Sequence, residues 1–121
     1  MLHMFGYLLN MEWYFGPTSE TNVWDVSRDA ANKLIHPTQK PVSLAQRAIK
    51  NSSERGDIVL DCFAGSGSTM MAAESMDRTC YAMEIEPSYC DAIVRRYMSL
   101  VGLDNVSEDL KSRYQSEVAN V

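Results

Sequence analysis

Ile58-Val59-Leu60-Asp61-Cys62-Phe63-Ala64-Gly65-Ser66-Gly67-Ser68-Thr69 is the stretch that decides how this chain folds. Three apolar residues in succession, bounded by turn residues, read as a strand buried on both faces of a parallel sheet. Gly65 and Gly67 remove side chains so that the backbone can turn tightly and approach a ligand. A helix is then expected from near Ser66, with Met70, Ala73 and Met76 in register. At the carboxyl edge of a parallel strand a ligand meets backbone N–H groups and the positive end of the following helix, which suits charged cofactors. Asp61 can set a carboxylate beside an ammonium group, and Phe63 can offer a ring face. A lone Gly-x-Gly turn is as often only a tight connection with a satisfied aspartate.

Two nucleotide-binding patterns fail on the letters. A dinucleotide fingerprint wants a third glycine where Met70 stands, and a phosphate-binding loop wants Gly-Lys-Ser/Thr, which does not occur.

Working outward, Gly56-Asp57 is a turn before the strand. Upstream, Pro41 stands where a first helical residue would. Leu44, Ala45, Ala48 and Ile49 form one apolar stripe on a helix ending near Asn51-Ser52-Ser53. Downstream, Cys80-Tyr81-Ala82-Met83 is the next strand. Pro87 opens a helix in which Cys90, Ile93, Val94, Tyr97, Met98 and Val101 repeat at three and four, with Arg95 and Arg96 turned outward. The alternation of helix, strand, helix, strand, helix implies an α/β fold with parallel strands, flanking helices and right-handed crossovers. Residues 1–27, with Phe5, Tyr7, Trp13, Tyr14, Phe15 and Trp24 broken by Gly16-Pro17 and Thr18-Ser19, fit short strands or hairpins. Arg28 to Ile35 reads as a connection, and beyond Gly102 the chain is polar, with a short helix expected at Asp109 to Val118.

Glu84 follows the second strand 84 − 65 = 19 residues after Gly65, close to the roughly 20 expected for an acid that accepts hydrogen bonds from ribose hydroxyls. Glu86 is the competing acid, but its place immediately before Pro87 suits a helix cap better. Thr38 and Lys40, in His36-Pro37-Thr38-Gln39-Lys40-Pro41, put a hydroxyl and a cation before a helix, where they could hold a carboxylate. Alone, His-Pro-Thr is more simply a rigid turn, and His36 a histidine that stabilises it.

Composition sets the outer limits. A chain of 121 residues with 45% hydrophobic and 22% charged residues is sized and composed for one globular domain. No apolar run approaches the roughly 20 residues of a membrane-spanning helix. Met1 to Leu9 is apolar but lacks the basic flank and cleavage site of a secretory signal. Three cysteines (Cys62, Cys80, Cys90) without a C-x-x-C pair, and two distant histidines (His3, His36), argue against a disulfide framework or a metal site. A reduced cytoplasmic setting is the default. The formal charge of −5 argues against a protein that grips nucleic acid over its whole surface.

It is the combination that resembles a family. His36 to Pro41 resembles motif X of the β-class DNA amino-methyltransferases, Asp61 to Gly67 their motif I, and Tyr81 to Glu86 with Tyr89 their motif II. The resemblance covers roughly residues 22–98. It implies a partial Rossmann-like methyltransferase fold in circularly permuted motif order, S-adenosylmethionine (S-adenosyl-L-methionine) as cofactor, and methylation of an exocyclic amine in double-stranded DNA, adenine in preference to cytosine. Carried over by position, Thr38 and Lys40 face the methionine end, Asp61, Phe63, Gly65 and Gly67 frame the cofactor, and Glu84 takes the ribose.

One motif of that family is missing. Such enzymes use a Pro-Pro-Tyr/Phe segment to hold the flipped base, and the four prolines here, Pro17, Pro37, Pro41 and Pro87, are nowhere adjacent. No catalytic residue is therefore assigned. The expected organisation is the end of a target-recognition region over 1–35, a cofactor-binding part over 36–102, and a polar tail over 103–121. The chain is expected to be the C-terminal, cofactor-binding portion of a DNA methyltransferase, inactive alone and open along apolar faces. A non-catalytic remnant, or a subunit completing a partner chain that carries the catalytic half, is the alternative. A small-molecule methyltransferase is disfavoured by His36 to Pro41 standing upstream of the glycine turn.

Overall fold

In the computed structural model, residues 14–27 and 39–118 are described. The elements in chain order are α1 (Val42–Ser52), β1 (Ile58–Asp61), α2 (Ser68–Ser75), β2 (Thr79–Ala82), α3 (Pro87–Val101), a 3-10 turn (Leu103–Asn105) and α4 (Glu108–Val118). β1 and β2 pair in parallel, Ile58 opposite Thr79 and Asp61 opposite Ala82. Thus the α/β alternation read from the sequence is the architecture found, with helix starts shifted by a residue or two. Pro41 precedes α1 rather than opening it, and its carbonyl accepts the Leu44 N–H at 3.1 Å.

The core lies on one face of this small sheet. Ile49 of α1 meets Ala72 and Ala73 of α2, both 0% exposed, with Val42, Ala45, Val59, Met76 and Cys80 packed around them. Two alanines at the contact let the helices approach closely, and Val59 and Cys80 supply the strand side. Cys62, Cys80 and Cys90 are free thiols. Burial beside Asp61 pushes the Cys80 thiol above its ordinary value.

The expectation that Ile58-Val59-Leu60 is covered on both faces fails. Only Val59 turns to the core, whereas Ile58 and Leu60 are each 67% exposed, and Tyr81, opposite Leu60, is 58% exposed. The reason is strand alternation: α1 and α2 cover the Val59 face, and among the described residues nothing covers the other. Met83 and Ile85 extend the exposed apolar surface beyond β2, Ile85 to 97% exposure. Open apolar faces are what the sequence predicts for a partial Rossmann-like sheet, and a surface of this kind favours association.

Residues 14–27 form no strand or hairpin, contrary to the sequence reading. Several of their polar groups are satisfied in local turns instead: the Glu20 N–H donates to the Pro17 carbonyl, the Tyr14 hydroxyl to the same carbonyl, and the Thr21 hydroxyl to the Val23 carbonyl. Pro17 has no N–H for a ladder, which favours this turn. The remainder of the expected hairpin region and the Arg28 to Ile35 connection lie outside the described residues.

Outward placement of both arginines of α3 is also wrong. Arg95 lies 5.3 Å from the centroid of the Tyr114 ring, whose hydroxyl donates to Asp91 at 2.8 Å, so α4 is docked on α3. Arg96 turns the other way, toward the glycine turn. Side-chain length explains both: an arginine on a helix flank bends its guanidinium to the nearest acceptor or ring while its stem stays half-buried.

Replacing Ile49 by Ala opens a cavity between α1 and α2 and is expected to cost about 2–5 kcal/mol. Leu60→Ser, on the open face, is expected to change stability by less than about 1 kcal/mol while lowering self-association. Chemical denaturation and size-exclusion chromatography of both variants check this; equal destabilisation would contradict the one-sided core.

Candidate functional site

Between β1 and α2 the backbone turns through Gly65 (φ 54°) and Gly67 (φ 76°), both in the left-handed region that favours glycine. The two serve different purposes. A Cβ on Gly65 would meet nothing nearer than 4.0 Å, whereas one on Gly67 would lie 2.9 Å from Cγ2 of Ile93 in α3. Gly67 is thus a packing glycine under α3, and Gly65 faces open space on the pocket side.

Hydrogen bonds close this turn. The Gly67 N–H donates to the Ala64 carbonyl at 2.8 Å, the Ala64 N–H to the Met83 carbonyl at 2.9 Å, and the Met83 N–H to the Asp61 carbonyl at 2.9 Å. The Gly65 N–H donates to Oε2 of Glu84 at 2.8 Å, and Oε1 of Glu84 accepts from the Glu86 N–H at 3.0 Å. Both glycine amides are therefore engaged within the protein, so the glycines contribute close approach rather than free donors. Glu84 stands at the carboxyl end of the sheet, beside the turn. Glu86 caps α3 as its place before Pro87 predicts, accepting from the N–H and the hydroxyl of Ser88 at 3.4 and 2.9 Å.

A pocket of about 530 Å³ opens at this edge, lined by Trp24, Lys40, the α1 residues Leu44, Ala45 and Ala48, and residues of the turn from Asp61 to Thr69. Of the residues singled out from the sequence, Lys40, Asp61, Phe63 and Gly65 meet here. Gly67 and Glu84 are not in the lining; they shape the turn from behind and beside it. Thr38 lies outside the described residues, as does His36. Oδ1 of Asp61 accepts the Phe63 N–H at 3.0 Å, which holds the strand end in place, and the Phe63 ring is 91% exposed at the mouth. The apolar stripe of α1 serves two surfaces, since Ile49 enters the core, Leu44 and Ala48 face the pocket, and Ala45 borders both.

Two groups of site residues escaped sequence reasoning. Nη1 of Arg96 donates to the Ser66 carbonyl at 2.8 Å, and the buried Ser68 hydroxyl donates to the Lys40 carbonyl at 2.7 Å. These bonds tie α3, the glycine turn and the segment before α1 together. Serine in a glycine turn reads only as turn chemistry, and helical period alone puts Arg96 outside. The second group is an acid clasp. Glu20 pairs with Arg47, whose Nε donates to Oε2 at 3.2 Å, and accepts from Nδ2 of Asn51 at 2.9 Å. Arg47 lies 4.8 Å from the centroid of the Trp24 ring. The Arg47 guanidinium, with the Asn51 amide second, holds the Glu20 carboxyl down at about 2. No signal in one sequence joins residues 27 and 31 positions apart. Among the described residues no group of His, Cys, Asp and Glu could hold a metal.

The model of the DNA methylase family (N6_N4_Mtase) matches residues 14–95. The chain belongs to the DNA methylase family. Type II methyltransferase M.HpaI of Haemophilus parainfluenzae is 37% identical over 95 residues, covering 75% of this chain and 30% of that protein. Type II methyltransferase M2.MboI of Moraxella bovis is 28% identical over 122 residues, covering 98% of this chain and 44% of that protein. Among solved structures, the M1.HpyAVI–SAM complex superposes with a TM-score of 0.61 at 30% identity, over 71% of this chain and 44% of that one. The chain thus spans less than half the length of these DNA methylase relatives, and its two parallel strands and flanking helices are part of a Rossmann-like methyltransferase fold.

Gly67→Ala is expected to destabilise the DNA methylase domain by about 1–3 kcal/mol, because Ile93 must give way and the φ is strained. Gly65→Ala should cost less, since only its φ is at issue; thermal melts that reverse this order would contradict the division of roles. Glu20 supplies a pH test. Its carboxyl is lowered from 4.5 to about 2, so its contribution is complete above 4.5 and is lost as pH falls toward 2. With Trp13→Phe leaving Trp24 as sole reporter, indole emission should change across that window, and Glu20→Gln should abolish the transition; an unchanged transition would exclude Glu20 as its source.

Proposed function

We propose that this chain is the S-adenosylmethionine-binding portion of a site-specific DNA methyltransferase acting on an exocyclic amine, with adenine N6 preferred to cytosine N4. The observation that carries the reading is the meeting of Lys40, Asp61, Phe63 and Gly65 in one pocket at the carboxyl edge of a parallel strand, with Glu84 bonded to the same turn. A family membership over residues 14–95 and a SAM-complexed structural relative support it.

The pocket's chemistry suits the cofactor. Its volume of about 530 Å³ falls within the roughly 300–1,000 Å³ common for small-molecule sites. Open space over Gly65 lets a ligand lie against the backbone. Lys40, with Thr38 before it, would hold the α-carboxylate, and Asp61 would face the α-ammonium. Both Glu84 oxygens accept backbone N–H groups and so face the turn beside the pocket, and a carboxylate there suits the ribose hydroxyls as donors. Phe63 would cover one side of the ligand with its ring. When bound, the cofactor supplies an electrophilic methyl group on sulfur.

Transfer needs a target amine held in line with that methyl, and most of the rate depends on such positioning. The sequence has no adjacent prolines and so no Pro-Pro-Tyr/Phe segment. Base positioning would come from a catalytic half joined to this one or carried by a partner chain, and double-stranded DNA would be engaged by the complete enzyme. The exposed face of Ile58, Leu60 and Tyr81, which no described residue covers, favours that reading over a self-sufficient module. The compartment this reading implies is the cytoplasm, where three free thiols stay reduced.

Calorimetry with S-adenosylmethionine is expected to show weak binding by this chain, weakened about tenfold or more by Gly65→Val or Glu84→Ala. Equal binding by all three proteins would remove the site assignment. Radiolabelled methyl transfer to duplex DNA by the chain alone should be undetectable, and substantial turnover would refute the division into halves.

A further inference from the structure

The geometry points to Trp24 as a cofactor-binding residue, the side wall for the methionine arm of S-adenosylmethionine. This inference rests on the cofactor reading above and adds to it a residue that no motif supplies. Trp24 shares the pocket lining with Lys40, Leu44, Ala45 and Ala48, whereas Glu84, assigned to the ribose, stands outside that wall at the end of β2. The two ends of the site are therefore chemically distinct. On the β2 side a carboxylate suits a sugar; on the α1 side a cation stands among aliphatic groups and an indole. An amino-acid arm with a carboxylate tip and two methylenes matches the second set.

The indole is placed, not merely adjacent. Its Nε1–H donates to the Thr21 carbonyl at 2.7 Å, which fixes the ring plane relative to its own segment. Arg47 of α1 stands 4.8 Å from the ring centroid, and Glu20 holds Arg47 while also taking the Asn51 amide at 2.9 Å. The Phe15 N–H donates to the Asn51 carbonyl at 2.8 Å, adding a second tie from the same segment to α1. A planar side chain held on so many sides loses little entropy on binding and excludes water from one side of the aliphatic arm. Glu20 and Arg47 act through Trp24 and are positioning residues.

The test compares two ligands on the full chain: S-adenosylmethionine, and 5′-methylthioadenosine, which keeps the nucleoside and sulfur but has no amino-acid arm. Trp24→Ala should weaken S-adenosylmethionine about tenfold and leave 5′-methylthioadenosine within about twofold. Trp24→Phe should recover most of the loss, and Trp24→Leu, which keeps apolar bulk without a ring, provides a second variant should the alanine protein fold poorly. Equal weakening of both ligands, or no weakening of either, overturns the assignment while leaving the cofactor reading intact. Failure of the unsubstituted chain to bind either ligand overturns both.

Discussion

The site is built around one carboxylate. Glu84, just past the end of β2, accepts the Gly65 N–H on one oxygen and the Glu86 N–H on the other, so the turn after β1 and the entry to α3 are fixed by the same side chain. Around it the Ala64 and Met83 amides donate to carbonyls across the two strand ends, carrying the parallel ladder past its last regular pair. Charge-assisted bonds to backbone amides are stronger than neutral ones, and here they set a turn that glycine alone would leave loose. The pocket depends on that turn, because its floor runs from Asp61 to Thr69.

Packing then adds the other walls. Gly67 admits Ile93 so that α3 can close on the turn, and Arg96 reaches the Ser66 carbonyl from the same helix. Ser68 ties the Lys40 backbone to the start of α2. On the far side, α1 shows Ile49 to the core, Leu44 and Ala48 to the pocket and Ala45 to both, so one amphipathic helix both stabilises the sheet and walls the site. Core and pocket share one helix, and for that reason a small two-stranded sheet can keep a formed cavity while its opposite face stays exposed among the described residues.

Local patterns made much of this legible. Ile58 to Leu60 as a strand, the glycine turn, Pro87 as a helix opener and Glu86 as its cap all follow from backbone chemistry within a few residues. So does the neighbourhood of Glu84 and Gly65, since successive parallel strands end at the same edge. What stayed hidden is long-range and electrostatic. Glu20 finds Arg47 and Asn51 across a segment that reads as hairpin but satisfies its own backbone in turns. Arg96 points inward because its acceptor lies on another element, which helical period cannot foresee. The two-faced burial expected for Ile58 and Leu60 assumes covering elements that two strands and their helices do not provide.

The central claim is that the turn from Asp61 to Thr69, latched by Glu84, cradles the cofactor. Backbone amide resonances followed by NMR during titration with S-adenosylmethionine test it most directly. The account predicts that the largest shifts fall on Gly65, Ser66 and Lys40, with Glu86 responding through the shared carboxylate, and that α4 is silent. Shifts concentrated on the exposed Ile58, Leu60 and Tyr81 face, with the Gly65 amide unmoved at saturation, would contradict it.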